Sequence, residues 1–159
     1  MENAKQTDDS TDLFGPVIYS YTRAQAIEDG YLIDITDTAY EAGFSSPVAI
    51  THAAWEECVA WTDEDSRRQV HQDQSGRLWD VAWMAYKAIR QASSSGQELL
   101  FRLYRVPRGG RKRKPRLTTL KLITGPGDEG ELVITIMLLC GAPHNNINAE
   151  FIVMQITQS

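Results

Sequence analysis

A run of cationic side chains is the part of the sequence whose residue types most clearly suggest chemistry. Residues 107–115 read PRGGRKRKP and place five Lys or Arg side chains within nine residues of a chain whose formal net charge is −5. Guanidinium groups bind phosphate and carboxylate through paired hydrogen bonds, and ammonium groups bind them as point charges. The glycines and prolines favour a loop. The run therefore predicts a loop that presents cations to an anion.

The run belongs to a wider segment that carries positive charge only. Residues 102–121 contain nine Lys or Arg residues and no Asp or Glu. Like charges confined in this way repel one another unless solvent, an acidic face of the same chain or an anionic partner lies opposite them. All three alternatives remain open, and Asp63, Glu64 and Asp65 are the candidate internal acidic face. The predicted anion-binding residues are Arg102, Arg105, Arg108, Arg111, Lys112, Arg113, Lys114, Arg116 and Lys121.

Nucleic acid is the partner that we expect for this surface, and an acidic protein surface is the alternative. Much of the affinity of proteins for nucleic acid comes from phosphate contacts, which are sensitive to salt. The acidic remainder of the chain opposes this binding unless it faces away from the ligand. The hypothesis therefore requires the cations to project from the rest of the molecule.

The sequence contains no pattern that predicts a metal site, a cofactor site or a catalytic set. The histidines and cysteines contain no pair at metal-ligand spacing such as C-x₂-C or H-x₃-H. The glycines of GPGDEG lie beside acids and no lysine, so they predict a hairpin turn and not a phosphate loop. We expect no metal and no cofactor, and we interpret both cysteines as unpaired, buried hydrophobic residues. The residues considered are His52, His71, His144, Cys58 and Cys140.

A long amphipathic helix is the strongest structural signal. It runs from Gly76 to about Gln91, with apolar residues at the 3.6-residue period. Shorter helices are predicted to begin near Thr22, Thr36, Thr51 and Thr62, which have N-cap or capping-box positions. The tryptophans lie in or beside apolar helical stripes, so we expect them in the core and not on a ligand-binding surface, with the helix around Trp83 most buried. They are Trp55, Trp61, Trp79 and Trp83.

Four runs rich in β-branched, leucine and aromatic residues follow this helix. Their short connections predict an antiparallel meander of about four strands packed on the helices, which is an α+β fold. PRGGRKRKP is then the tip of the first hairpin. Earlier in the chain, FGPVIYSY and residues 31–35 predict strands, and residues 47–50 lead into a helix. The four runs are Leu99–Val106, Arg116–Thr124, Glu131–Cys140 and Glu150–Thr157.

The chain ends and hydropathy predict one domain in the cytoplasm. Residues 1–12 are polar and acidic, which predicts a disordered tail and leaves 13–159 as a single domain. No run approaches the ~18 apolar residues of a membrane span. The start MENAKQTDDSTD lacks the basic and apolar regions of a secretory signal. We therefore expect no membrane association.

The segments FGPVIYSYTRAQAIEDGYLIDIT and GRLWDVAWMAYKAIR resemble an uncharacterised family of small accessory proteins encoded by phages and plasmids. The resemblance covers about residues 13–140 and implies no catalytic residue. It implies a role in host defence or in DNA transfer. Taken with the cationic segment, it predicts a non-catalytic accessory protein of a mobile genetic element. This protein would bind nucleic acid, or a complex that handles nucleic acid, through a basic β-hairpin.

A second resemblance implies a different function. The letters YSYT, followed by a short helix that ends in glycine, are similar to the first motif of mono-ADP-ribosyltransferases. The similarity implies a cleft formed by Tyr19, Ser20, Thr22 and Glu150, with Ser20 at the nicotinamide-ribose contact and Glu150 in place of the catalytic glutamate. No second motif accompanies these residues. The alternative is an ADP-ribosyltransferase-like enzyme, either active or degenerate.

Overall fold

A five-stranded mixed sheet with helices packed on it forms the fold in the computed structural model, which describes residues 21–93 and 96–139. The predicted α+β class is confirmed. The elements are α1 (Arg23–Glu28), β1 (Leu32–Asp34), α2 (Thr36–Ala42), β2 (Val48–Thr51), α3 (His52–Cys58), α4 (Asp63–Arg68), α5 (Gln74–Gln91), β3 (Glu98–Arg105), β4 (Arg116–Pro126) and β5 (Leu132–Leu138). The strand order is β1-β2-β5-β4-β3, in which β2 and β5 are parallel and the other neighbours are antiparallel.

Side-chain caps set where most of the helices begin. Thr22 and Thr62 form capping boxes at α1 and α4, and Thr51 caps α3. Helix α5 begins two residues earlier than predicted, because the carboxylate of Asp73 accepts a hydrogen bond from the amide of Gly76 at 3.1 Å. Within the described ranges, no helix is both long and apolar enough to cross a membrane.

Strand β2 is the main departure from the predicted topology. Its residues were expected only to lead into a helix, yet they pair with β1 on one side and β5 on the other, and all four are buried. A short strand that is buried on both faces has a continuous run of buried residues with no alternation. Sequence periodicity therefore cannot distinguish it from a segment that leads into a helix. The predicted meander is therefore part of a larger mixed sheet.

Three of the four predicted meander strands are present as β3, β4 and β5. The fourth, Glu150–Thr157, lies outside the described residues, as do the tail 1–12 and all but the last residue of FGPVIYSY. The predictions made for those segments remain predictions. The strand at residues 31–35 is present as β1.

The main core lies between the helices and one face of the sheet. It combines the buried side chains of α5 with the inward-facing residues of all the long strands, including Leu120, Leu122 and Ile136. Trp61 is buried, and Trp55 packs against this core in a partly buried position. Burial of this continuous apolar cluster is the main favourable contribution to folding.

The opposite face of the sheet is only partly covered. Helix α1 packs there on a small cluster that includes Leu32, Ile123 and Met137. Arg23 of α1 is buried and donates to the hydroxyl of Thr135 at 2.8 Å and to the carbonyl oxygen of Ile134 at 2.7 Å. Burial lowers the pKa of Arg23, and nearby carboxylates oppose that effect. These bonds fix α1 on the sheet.

The positions of Trp79 and Trp83 contradict the sequence prediction. They are 38% and 41% exposed and lie on the side of α5 that faces away from the core. The buried side of α5 is formed by Val81, Ala82 and Ala85, which are 0% exposed. Small residues let the helix lie close to its neighbours, so the core provides no space for an indole at the flanking positions. Helix α5 has an apolar stripe, as predicted, but these two tryptophans lie outside it.

The exposure of Trp83 makes a stability prediction. We expect Leu120→Ala, at a site that is 0% exposed, to lower the free energy of unfolding by about 2–5 kcal/mol through a cavity. Trp83→Ala removes a half-exposed ring and should lower it by about 1 kcal/mol. Urea denaturation followed by circular dichroism measures both variants. Equal losses would contradict the solvent-facing position of Trp83.

The thiol of Cys58 provides a test of burial. Cys58 is unpaired and 0% exposed, whereas Cys140 lies outside the described residues. Burial raises the pKa of Cys58 from 9.0 to about 12. In a Cys140→Ser variant at pH 8, we expect a thiol reagent to label Cys58 slowly in the native state and rapidly in urea. Rapid native labelling would place the thiol at the surface.

The same pKa shift of Cys58 predicts a pH dependence of stability. Because the native state keeps the thiol proton to higher pH than the unfolded state does, the free energy of unfolding should fall as pH rises from 9.0 to about 12.

Candidate functional site

The cationic run connects β3 to β4 and forms the tip of a hairpin. The two strands pair from Glu98 and Ile123 to Arg105 and Arg116, and residues 106–115 lie beyond the last pair. Gly109 and Gly110 have φ angles of 89° and 72°, which are left-handed values that glycine adopts at little cost. The two glycines therefore turn the chain at the tip of the hairpin.

Gln69, just after α4, holds the backbone of this loop. Its amide nitrogen donates to the carbonyl oxygens of Pro107 and Lys112, and its amide oxygen accepts from the backbone amide of Gly109 at 3.1 Å. Gln69 is 4% exposed. Both of its N–H groups are used, so one side chain fixes both arms of the loop. Sequence reasoning missed this residue, because no local pattern distinguishes it from the exposed glutamines.

Arg108 attaches the loop to acidic residues of the same chain. Its Nε donates to Asp65 at 2.9 Å and its Nη1 to Glu56 at 2.8 Å. Burial alone would raise the pKa of Asp65, but hydrogen bonds from Thr62 and then from Arg108 outweigh it, and the net shift is downward. The predicted internal acidic face therefore contributes Asp65, while Glu64 pairs with Arg68.

Most of the remaining predicted cations face solvent. Lys121 is a partial exception, since its side chain is 16% exposed and lies 3.9 Å from Glu98. Among the residues that the structure describes, none of the other exposed cations has an ion-pair partner. We call this set the free cations: Arg102, Arg111, Lys112, Arg113, Lys114 and Arg116.

Arg105 is a correction to the predicted surface. Alternation along β3 places it on the helix-covered face with Phe101 and Leu103, and it is 5% exposed. Its Nη2 donates to the carbonyl oxygen of Arg77 at 3.2 Å and lies 3.4 Å from the carboxylate of Asp80. Burial lowers its pKa, and Asp80 opposes this effect. Arg105 is therefore enclosed beneath α5 and does not extend the exposed surface.

Arg77, beside Arg105, is a further buried arginine, and no sequence pattern had indicated its burial. Its Nε donates to the carbonyl oxygen of Val59 at 3.1 Å, and its Nη1 donates to Gln72 at 2.6 Å and to the carbonyl oxygen of Val106 at 3.3 Å. Its guanidinium also lies 4.7 Å from the ring centroid of Trp61. Burial, followed by repulsion from Arg105, lowers the pKa of Arg77 to about 10, so it stays charged at neutral pH.

An open cleft adjoins the hairpin loop, where β3 ends. It has a volume of about 410 Å³ and lies between the start of α5 and the end of β3. Its lining includes the rings of Trp79, Tyr104 and Pro115, the two arginines Arg77 and Arg105, and the carboxylates of Asp73 and Asp80. One nitrogen of each arginine, Nη2 of Arg77 and Nε of Arg105, is buried without a hydrogen-bond partner among the described residues. The cleft thus combines aromatic walls with a cationic base.

Trp79 begins a row of three aromatic rings along α5, which we call the aromatic stripe. The rings of Trp79 and Trp83 are nearly parallel, with an interplanar angle of 9° and centroids 6.2 Å apart. Tyr86 continues the row at 6.0 Å from Trp83. The i, i+4 and i+7 spacing was visible in the sequence, but it was interpreted as part of the core.

Of the four residues of the alternative enzyme site, only Thr22 lies within the described ranges, so that site stays a prediction. Tyr19, Ser20 and Glu150 lie outside the described residues. The hydroxyl of Thr22 accepts a hydrogen bond from the amide of Gln25 at 3.1 Å, so it caps α1. No group of three or more His, Cys, Asp or Glu residues within the described ranges is arranged to hold a metal ion.

Residues 11–141 match the model of a family of unknown function, DUF6573, and the chain belongs to that family. Neither a curated protein nor a solved structure matches the chain. The match confirms that the domain is an uncharacterised one and covers the whole described region, including the hairpin. Since the function of the family is unknown, the function of the chain is argued from the geometry.

The role of Gln69 is tested by an isosteric substitution. Gln69→Glu replaces the donating nitrogen with an oxygen that faces two carbonyl oxygens, so we expect it to lower the free energy of unfolding by about 2 kcal/mol or more. Gln97→Glu, at an exposed position, is the matched control and should change it by less than about 0.5 kcal/mol. Urea denaturation compares the two. Equal effects would show that Gln69 does not hold the loop.

Proposed function

We propose that the chain binds nucleic acid through the tip of the β3–β4 hairpin, by contacts between the free cations and phosphate groups. One observation carries the proposal: the loop divides its cations by role. Arg108 is paired with Asp65 and Glu56, whereas Arg111, Lys112, Arg113 and Lys114 stay exposed without a described partner. An internal acidic face therefore accounts for one cation of the loop and not for the others.

The held backbone favours ligand binding over a merely solvated loop. Gln69 and Arg108 fix the positions of both arms of the loop, so part of the ordering cost is met in the free protein. The side chains of the free cations then need only select rotamers on binding. Arginine adds a planar, bidentate contact that suits phosphate oxygens.

The acidity of the chain is also less of an obstacle than its net charge suggests. The acidic turn at Asp128, Glu129 and Glu131 follows the far end of β4 from the hairpin tip. At about 3.4 Å per residue, β4 separates the two by about 30 Å or more. That distance exceeds the Debye length of about 8 Å at physiological salt. A ligand at the tip is therefore largely screened from this turn.

The resemblance to accessory proteins of phages and plasmids supports a setting for this binding. In that setting the chain acts in the cytoplasm, without a catalytic step, on host defence or on DNA transfer. Its ligand is then nucleic acid or a complex that handles nucleic acid. Affinity capture from a host lysate with and without nuclease separates a nucleic-acid ligand from an acidic protein partner, because only the former is removed by digestion.

Salt dependence provides the direct test. Changing Arg111, Lys112, Arg113 and Lys114 together to Ser should weaken nucleic-acid binding and flatten the slope of log affinity against log salt. The slope should fall by up to about 0.9 for each duplex phosphate that the variant no longer neutralises. Thermal stability should change little, since exposed loop substitutions cost less than about 0.5 kcal/mol. Fluorescence anisotropy with labelled oligonucleotides gives the affinities.

The matched control exchanges lysine and arginine at the same positions, as R111K, K112R, R113K and K114R. It keeps the charge, so the salt slope should stay close to that of the natural sequence. Absence of binding by the natural sequence at about 50 mM salt, where phosphate contacts are strong, would contradict the proposal. The acidic protein partner would then be the remaining ligand for the hairpin.

A further inference from the structure

The two indoles of the aromatic stripe lie outside the core, whereas its third ring, Tyr86, packs against the core. Trp79 and Trp83 are 38% and 41% exposed, and the close packing of α5 is supplied by Val81 and Ala85 on its other side. Contiguous exposed aromatic surface is unfavourable in water and commonly marks a binding site. The stacking of the two indoles holds both rings in one orientation, so they present a preformed surface.

Cations lie at both ends of the stripe. At one end, Trp79 and Pro115 line the same cleft, and Pro115 lies between the free cations Lys114 and Arg116. At the other end, Lys87 and Arg90 are exposed on the helix turns that follow Trp83. From Trp79 to Arg90 the helix rises about 16 Å, at 1.5 Å per residue. A ligand along α5 would therefore meet positive charge, aromatic rings and positive charge again.

This order of groups fits a single strand of nucleic acid. Surfaces that bind single strands combine cations that follow the backbone with aromatic side chains on which bases stack. Protein interfaces also use tryptophan as an anchor, but they are depleted in lysine, which here flanks both ends of the stripe. Two carboxylates, Asp73 and Asp80, also line the cleft. Asp73 accepts a hydrogen bond from the amide of Gly76, and Asp80 lies 3.4 Å from Arg105, which offsets its charge.

We infer that the aromatic stripe stacks unpaired bases of a single-stranded nucleic acid whose phosphates contact the hairpin, so that the chain prefers single strands to duplex. The inference rests on the proposed function, because the hairpin supplies the phosphate contacts. It adds a ligand class and a second group of binding residues. A duplex cannot engage the stripe in this way, since its bases are already stacked on one another.

Three labelled probes separate the stripe from the hairpin. They are an oligothymidylate of about 15 nucleotides, an abasic strand of the same length and a duplex of that length. With the full chain, anisotropy should show the oligothymidylate bound about tenfold or more tightly than the abasic strand. Trp79→Ala with Trp83→Ala should abolish that difference and leave binding of the abasic strand and the duplex unchanged. Trp79→Phe with Trp83→Phe should keep most of it, because phenylalanine still stacks.

The outcomes distinguish this inference from the proposed function. If the alanine variant, folded by circular dichroism, binds all probes as the natural sequence does, the stripe does not stack bases and the inference is wrong. The hairpin proposal would still stand, provided that the hairpin serine variant bound the abasic strand more weakly. Equal binding of oligothymidylate and abasic strand by the natural sequence would also overturn the inference. If the natural sequence binds none of the probes, both proposals fail.

Discussion

The buried guanidinium of Arg77 is the interaction on which the arrangement of the site depends. It joins three separate parts of the chain to α5: the end of α3 through Val59, the segment just before α5 through Gln72, and the end of β3 through Val106. A buried cation is costly unless it is hydrogen-bonded, and removal of its partners leaves the charge uncompensated. The orientation of the hairpin relative to α5 is therefore tied to the bonds of this side chain, together with those that Arg105 makes to Arg77 and Asp80.

The loop extends this arrangement outward through neutral and charged contacts. Gln69 binds the backbone of the loop, and Arg108 binds Asp65 and Glu56 beside it. The backbone contacts do not consume charge, which leaves the tip both positioned and cationic. A loop held only by ion pairs would have fewer free cations once it became ordered. The use of a glutamine as the main contact keeps these two properties compatible.

The features of the fold that local chemistry determines were predicted from the sequence. The caps at Thr22, Thr51 and Thr62, the long helix and the β3–β4 hairpin follow from capping groups, periodicity and turn residues, and each is present. The predicted cap at Thr36 is wrong, because Thr36 is the first residue of α2 and the N-cap, Ile35, makes no side-chain bond. The features that depend on contacts between residues distant in sequence were not predicted. β2 is a strand because β1 and β5 lie on either side of it, and Gln69 matters because two carbonyl oxygens of the loop happen to face it. No property of either segment alone carries that information.

The two wrong predictions within the site both concern a side chain whose polarity does not match its position. Arg105 occupies an inward position in a row with Phe101 and Leu103, where alternation favours an apolar residue, and Trp79 occupies a solvent-facing position where a polar residue is expected. In most of a fold, the pattern of apolar and polar residues in a natural sequence agrees with burial, and it departs from burial mainly at strained or functional positions. Both departures line one cleft, beside the cationic loop of the hairpin. At the other end of the sheet, a buried arginine, Arg23, has both terminal nitrogens hydrogen-bonded. The pattern of apolar and polar residues therefore departs from burial, and donors are left unpaired, at the end of the molecule that carries the free cations. This coincidence favours a ligand site there over a purely structural explanation.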